Sequence, residues 1–168
     1  SQLGGIQQSV PQMLGEQMPA TTEVDYEAIL SRLRGVPTLV DQTIALMKEG
    51  LRRGITPPKI TLRNLPAQAG AVAGDDPAKS PLLAAFNKMP ATIPVGRRDA
   101  MKADAAAVLS AQVAPAFRRF RDFLANEYVP HCRDSLAATA LPDGPAWYAE
   151  AVASWTTTRL TPKQIHEI

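Results

Sequence analysis

The side chains with the most chemical reach in this sequence are His131, Cys132, His166 and a cluster of aromatics and hydroxyls between Trp147 and Thr158. His131-Cys132 has the residue types of a thiolate–imidazole pair. Adjacent residues at a helix end point in different directions, however, and no partners stand at the spacing of a three- or four-ligand zinc set. Cys132 reads instead as a small, partly buried apolar group. His166-Glu167 looks like the first half of a His-Glu-x-x-His zinc helix. That motif works because two histidines four residues apart share one face, and here only the opening pair is present. An exposed first-turn pair accounts for it without a metal, because Glu167 is favoured near the positive end of its helix.

Thr156-Thr157-Thr158 supplies hydroxyls at positions of low helix propensity. Their structural role would be to end one helix and cap the next. Their functional role would be a polar lip at Thr157, on a substrate cleft whose wall carries Trp147, Tyr148 and Trp155. Asp75-Asp76 falls in a Gly- and Pro-flanked loop, a poor support for paired acid–base work. Leu3-Gly4-Gly5 is too short for a phosphate loop, and no Gly-x-Ser-x-Gly nucleophile elbow occurs. No catalytic or metal-binding residue is assigned within residues 1–168.

The elements that must position these residues read as helices. Residues 1–20, rich in Gln, Gly and Pro, suggest an extended or irregular lead-in that is ordered only by lying on the remainder. Residues 21–168 read as the helical domain. Tyr26, Ile29, Leu30 and Leu33 follow an i, i+3, i+4, i+7 stripe after Thr22. Gly35-Val36-Pro37 predicts a break, and Val40, Ile44, Met47 and Leu51 a second helix closed by Gly54. A short helix is expected over Lys59–Ala71 and a capped start at Ser80-Pro81. From Arg97 to about Tyr128 the pattern is one long helix, kinked where the ring of Pro115 presses on the carbonyl of Ala111 and ended by Pro130. After the Leu141-Pro142-Asp143-Gly144 turn, Trp147, Tyr148, Ala151, Val152 and Trp155 fit one face of a helix over 145–156. Period-two alternation is absent. The expectation is an all-α, irregular helical bundle.

The charge balance, 18 basic against 16 acidic residues and a net +2, is too even for a nucleic-acid or anionic-membrane binder. Arg52-Arg53, Arg97-Arg98 and Arg118-Arg119-Phe120-Arg121 are then solvated helix faces. One cysteine excludes an internal disulfide and leaves the compartment open. No apolar run approaches the ~20 residues of a membrane span. Thr161-Pro162, with Gln164 completing a capping box, opens a helix that nothing closes before Ile168. So short a helix is unstable alone, which suggests that a longer protein carries its continuation.

Ala140–Ile168, ALPDGPAWYAEAVASWTTTRLTPKQIHEI, resembles a bacterial family catalogued as domain of unknown function 885. Its members carry Leu-Pro-Asp-Gly-x-x-Tyr-Tyr, then Thr-Thr-Thr-Asp-Leu-Thr-Pro leading to Ile-His-Glu-Leu-Gly. Here Trp147-Tyr148 stands for Tyr-Tyr, Arg159 for the usual Asp and Ile168 for Leu. Asp25-Tyr26 to Leu33, Asp41–Gly54 with Pro57-Pro58, Ser80-Pro81-Leu82 and Val113–Phe117 to Pro130 agree as well, so the likeness runs over nearly the whole chain. The resemblance implies a helix-rich zinc metallopeptidase of the gluzincin type. Its metal motif is a later His-Glu pair followed by Pro-Gly-His-His, which has no match in residues 1–168. His166-Glu167 belongs to the upstream Ile-His-Glu segment and is not carried over as a ligand. By the resemblance, zinc, general base and activated water belong to a C-terminal catalytic half, and a cell-envelope or periplasmic location is implied.

The expected function is therefore the non-catalytic N-terminal helical part of a zinc-dependent peptidase, shaping a substrate cleft and supporting the catalytic half. Its partners would be that half, a peptide substrate or a second copy. The alternative is a self-contained helical module that binds protein in an apolar groove. An exposed face centred on Trp147, Trp155 and the last helix favours the first, and a groove between the earlier helices the second.

Overall fold

The computed structural model describes residues 4–74 and 79–168. Its elements are α1 (Ile6–Gln12), α2 (Glu23–Arg52), α3 (Leu65–Ala73), α4 (Val95–Val108), α5 (Ala114–Phe123), α6 (Val129–His131), α7 (Gly144–Thr156) and α8 (Pro162–His166), with short 3-10 and π turns between them. Among the described residues there is no strand, and the chain is an all-α helical bundle. Asp75-Asp76 lies outside the described residues.

The spine is α2. The Thr22 hydroxyl accepts from the Asp25 amide at 3.3 Å, while the Asp25 carboxylate accepts from the Thr22 amide at 2.8 Å, closing a reciprocal cap. Tyr26, Ile29, Leu30, Leu33, Val36 and Val40 form one continuous buried stripe. The predicted break at Gly35-Val36-Pro37 does not occur. A proline inside a helix costs about 3 kcal/mol, but full burial of Val36 and Val40 contributes roughly 1.5–3 kcal/mol each and offsets it.

Prolines also explain the long run from Val95 to His131. Leu109–Val113 and Leu124–Tyr128 are π turns, each immediately before a segment with proline in its first turn. The Ala114 amide bonds the Leu109 carbonyl and the Val129 amide bonds the Leu124 carbonyl, five residues back. The wider turn absorbs one residue just before Pro115 and Pro130, so that the helical path continues instead of ending.

The lead-in departs from an extended path. Ile6–Gln12 is α-helical and Met13–Gln17 a π turn, with Val10 and Leu14 buried in the same core as α2. It does lie on the remainder, as its weak periodicity requires. The helix expected over Lys59–Ala71 is divided: Lys59–Leu62 is a 3-10 turn, and α3 starts with Pro66 in its first turn, where the missing amide costs nothing. Ser80 caps its 3-10 turn by accepting from the Leu82 amide at 3.3 Å. Leu82 and Phe86 are buried, and the Phe86 ring lies 5.5 Å from that of Tyr26.

Arg52, Arg53, Arg97, Arg118 and Arg119 lie on exposed faces as expected, whereas Phe120 belongs to the core and Arg98 is half-buried with its Nε out of solvent. Arg52 and Arg53 share Glu49, Arg97 bridges to Glu23 and Glu27, and Arg119 meets Asp41.

Candidate functional site

The aromatic helix is built on an arginine. The Arg133 backbone amide donates to the Thr56 hydroxyl at 3.1 Å, and its Nε donates to the Thr56 carbonyl at 2.8 Å. Its Nη1 donates to the carbonyls of Ser135 and Ala137 at 2.5 and 2.6 Å. Those bonds fix the strap that leads into a 3-10 turn at Ala138–Ala140, on which α7 rests. Gly144 is required at this contact, because a Cβ there would stand 2.5 Å from the Ala138 carbonyl oxygen and 2.6 Å from the Thr139 carbonyl. Beyond this base, α7 is left largely in solvent.

Two non-glycine residues bracket α7 in the left-handed region, Asp143 at φ 54° and Thr157 at φ 55°. For the β-branched Thr157 this is a strained conformation. Its neighbours hold it there. The Thr156 hydroxyl donates to the Val152 carbonyl at 2.8 Å and lies 3.0 Å from the Thr158 hydroxyl, while the Thr157 hydroxyl donates to the Thr156 carbonyl at 2.7 Å. The threonine triplet thus ends α7 with its own hydroxyls. Thr161 and Gln164 then form the expected reciprocal cap on α8, with the Thr161 amide 2.8 Å from the Gln164 side-chain oxygen.

Trp147 is 61% exposed and Trp155 88% exposed. Together they line a shallow groove of about 500 Å³ along α7 that also takes in Asp143 and Glu150. Tyr148, 43% exposed, lies about 100° further round the helix and does not line this groove. Thr157 lies at the helix end and likewise takes no part in it. The structure therefore brings together two of the four residues assigned to the cleft wall. A second groove runs between α7 and the strap to α8, bordered by Ala149, Ala153, Arg159 and Leu160.

Glu150 was not singled out in the sequence, although its spacing from Trp147 places it on the same face, and Asp143 was read only as part of the turn before the helix. Gly144 was read only as a turn residue and Arg133 was missed, since the importance of both rests on carbonyls from other segments.

The sequence candidates for metal chemistry are dispersed. The exposed His131 places its Nδ1 2.7 Å from the Glu127 carbonyl of its own helix. Cys132 is buried, and burial pushes its thiol up from the ordinary value, against partial lowering by hydrogen bonds with Thr56 and Tyr128 and by the charge of Lys59. Glu167 lies 3.9 Å from Lys163. Among the described residues, no three His, Cys, Asp or Glu side chains stand together in a way that would hold a metal ion. These residues do not fit a zinc site.

A buried all-α body from which one aromatic helix stands uncovered is the class of structure that the fold and site define. The chain belongs to the family described as "Bacterial protein of unknown function (DUF885)", whose profile matches residues 1–168. The fold is that of the crystal structure of a "putative lipoprotein" from Colwellia psychrerythraea, with a TM-score of 0.87 at 20% sequence identity. The likeness covers 98% of this chain and 28% of that one, so the chain spans little more than a quarter of that lipoprotein's length. No curated protein matches it. No helix among the described residues is long and apolar enough to cross a membrane.

Proposed function

We propose that residues 1–168 are the N-terminal helical part of a zinc-dependent peptidase of the cell envelope. In this reading they perform no chemistry. They provide one wall of a substrate cleft and a seat for a catalytic half that supplies the zinc ligands. The observation that carries the reading is the uncovered face of α7, where two tryptophans stand in solvent on a helix that packs mainly on the 3-10 turn at its base. A tryptophan offers roughly 150–250 Å² of surface to bury, and leaving two of them wet is costly unless something covers them.

Trp147, Tyr148, Trp155, Leu160 and Ile168 are all exposed on α7 or after it, whereas the other exposed large apolar residues, such as Val24, Leu46, Ile60 and Val95, are scattered along the chain. The cavity bordered by α1, α2, α3 and α5 is about 200 Å³, room for a side chain or a small molecule but not for a partner helix. That contrast favours the cleft-wall reading over a self-contained interaction module. The likeness to a much longer chain, described as a "putative lipoprotein", fits it too.

The test is peptide hydrolysis, measured with and without zinc, on the 168-residue chain and on a polypeptide that continues past Ile168. The shorter chain should give background alone and the longer one zinc-dependent turnover. Robust zinc-dependent hydrolysis by the 168-residue chain, or none by the longer one, would overturn the assignment.

A further inference from the structure

We propose that the groove between Trp147 and Trp155 receives a basic side chain, lysine or arginine, of a polypeptide. The assignment deepens the cleft-wall reading and rests on it for its place in a peptidase. Its argument is one of charge complementarity. Asp143 and Glu150 border the groove together with the two tryptophans, and no basic residue lines it. Neither carboxylate has an ion pair or a side-chain hydrogen bond among the described residues, whereas Glu23, Asp41, Glu49 and Asp122 are all engaged by arginines. Arg159 borders the neighbouring groove that Glu150 also reaches, yet makes no ion pair with it.

Geometry supports the same occupant. Trp147 and Glu150, three residues apart, share a face of α7, and Asp143, in the left-handed turn just before the helix, borders the same groove. Trp155 lies eight residues beyond Trp147, about 12 Å along the axis. The length suits an extended chain laid along the helix. Tryptophan has the most attractive ring face for a cation, and the methylene stem of lysine or arginine packs on the same rings. A carboxylate or phosphate would meet two unpaired negative charges here. A purely apolar segment would bury those charges without a partner.

The two tryptophans of the groove are the only two in the chain, so tryptophan fluorescence, excited selectively over tyrosine, reports on this site alone. The 168-residue chain is titrated with a blocked Ala-Arg-Ala tripeptide and with the same tripeptide carrying citrulline, the neutral isostere of arginine. The arginine peptide should shift the emission saturably, in the millimolar range, and bind roughly tenfold more tightly than the citrulline peptide. Raising the salt to about 0.5 M should narrow that gap, because the site is exposed. The D143N/E150Q double variant, checked for an unchanged helical circular-dichroism spectrum, should abolish it. Equal responses to the two peptides, no response to either, or an undiminished preference in the double variant would each overturn the proposal. Because the readout is binding, a longer polypeptide without peptidase activity would sink the peptidase reading and leave this titration standing. A flat titration would do the reverse.

Discussion

The Cys132 thiol illustrates how burial decides the chemistry of a residue that by type alone could be a nucleophile. It is 4% exposed, and its shift away from thiolate makes it a poor attacker. We expect it to react slowly with a disulfide reagent at pH 8 in the native protein and rapidly after unfolding in urea. A fast native reaction would contradict this assignment. Its neighbour Tyr128 is pushed up to about 12, first by burial and then by its proximity to Cys132. Both groups are raised in the fold, so the stability they contribute is complete below their unfolded values and is lost as pH rises through the folded ones. The melting temperature should therefore begin to fall above about pH 9, and less steeply in a Cys132→Ala, Tyr128→Phe variant. Asp25 has the opposite sign. Amide and hydroxyl donors from Thr21 and Thr22 hold its carboxylate at about 2, so its contribution is present above the ordinary carboxylate range and is lost as pH falls toward 2. The D25N variant should show a smaller loss of stability between pH 4 and pH 2 in acid titrations followed by circular dichroism.

At the scale of elements, apolar stripes were legible and the effect of proline was not. The positions Tyr26 to Leu33 announce α2, and they continue through Val36 to Val40 without a change of face. Pro37 and Gly35 signalled a break because local rules price the proline and cannot price the burial on either side of it. The π turns before Pro115 and Pro130 were hidden for a similar reason: no sequence motif announces a wider turn, and only continuous packing of Leu109, Val113, Leu124 and Tyr128 requires one. Leu33 is fully buried at the centre of the stripe, so Leu33→Ala should cost about 2–5 kcal/mol in urea unfolding. Gly144→Ala tests the base of α7. The added methyl should cost about 1–3 kcal/mol at that contact, and because α7 packs mainly on the 3-10 turn the effect should be local. Faster proteolysis within 137–157 with little change in the global melting temperature is the expected result.

At the scale of the whole molecule, the residues that look most reactive in the sequence do not converge. His131 bonds its own helix, Cys132 is buried, and His166 ends a short exposed helix that Glu167 follows at its C-terminal end, not in the first turn expected from the sequence. What the fold assembles instead is a groove of aromatics and unpaired carboxylates on one uncovered helix. Trp147 and Trp155 were legible as a cluster because their spacing is helical. Their common groove was not, since that depends on which side of α7 the body leaves open. In the proposed peptidase this surface contacts substrate without touching the metal. The most direct measurement is steady-state peptide hydrolysis by the polypeptide that continues past Ile168, comparing wild type with Trp155→Ala at matched zinc content. The account predicts a fall in kcat/KM of about tenfold, carried mainly by KM, with bound zinc unchanged. Unaltered kcat/KM in that variant would contradict the placement of α7 in the substrate cleft.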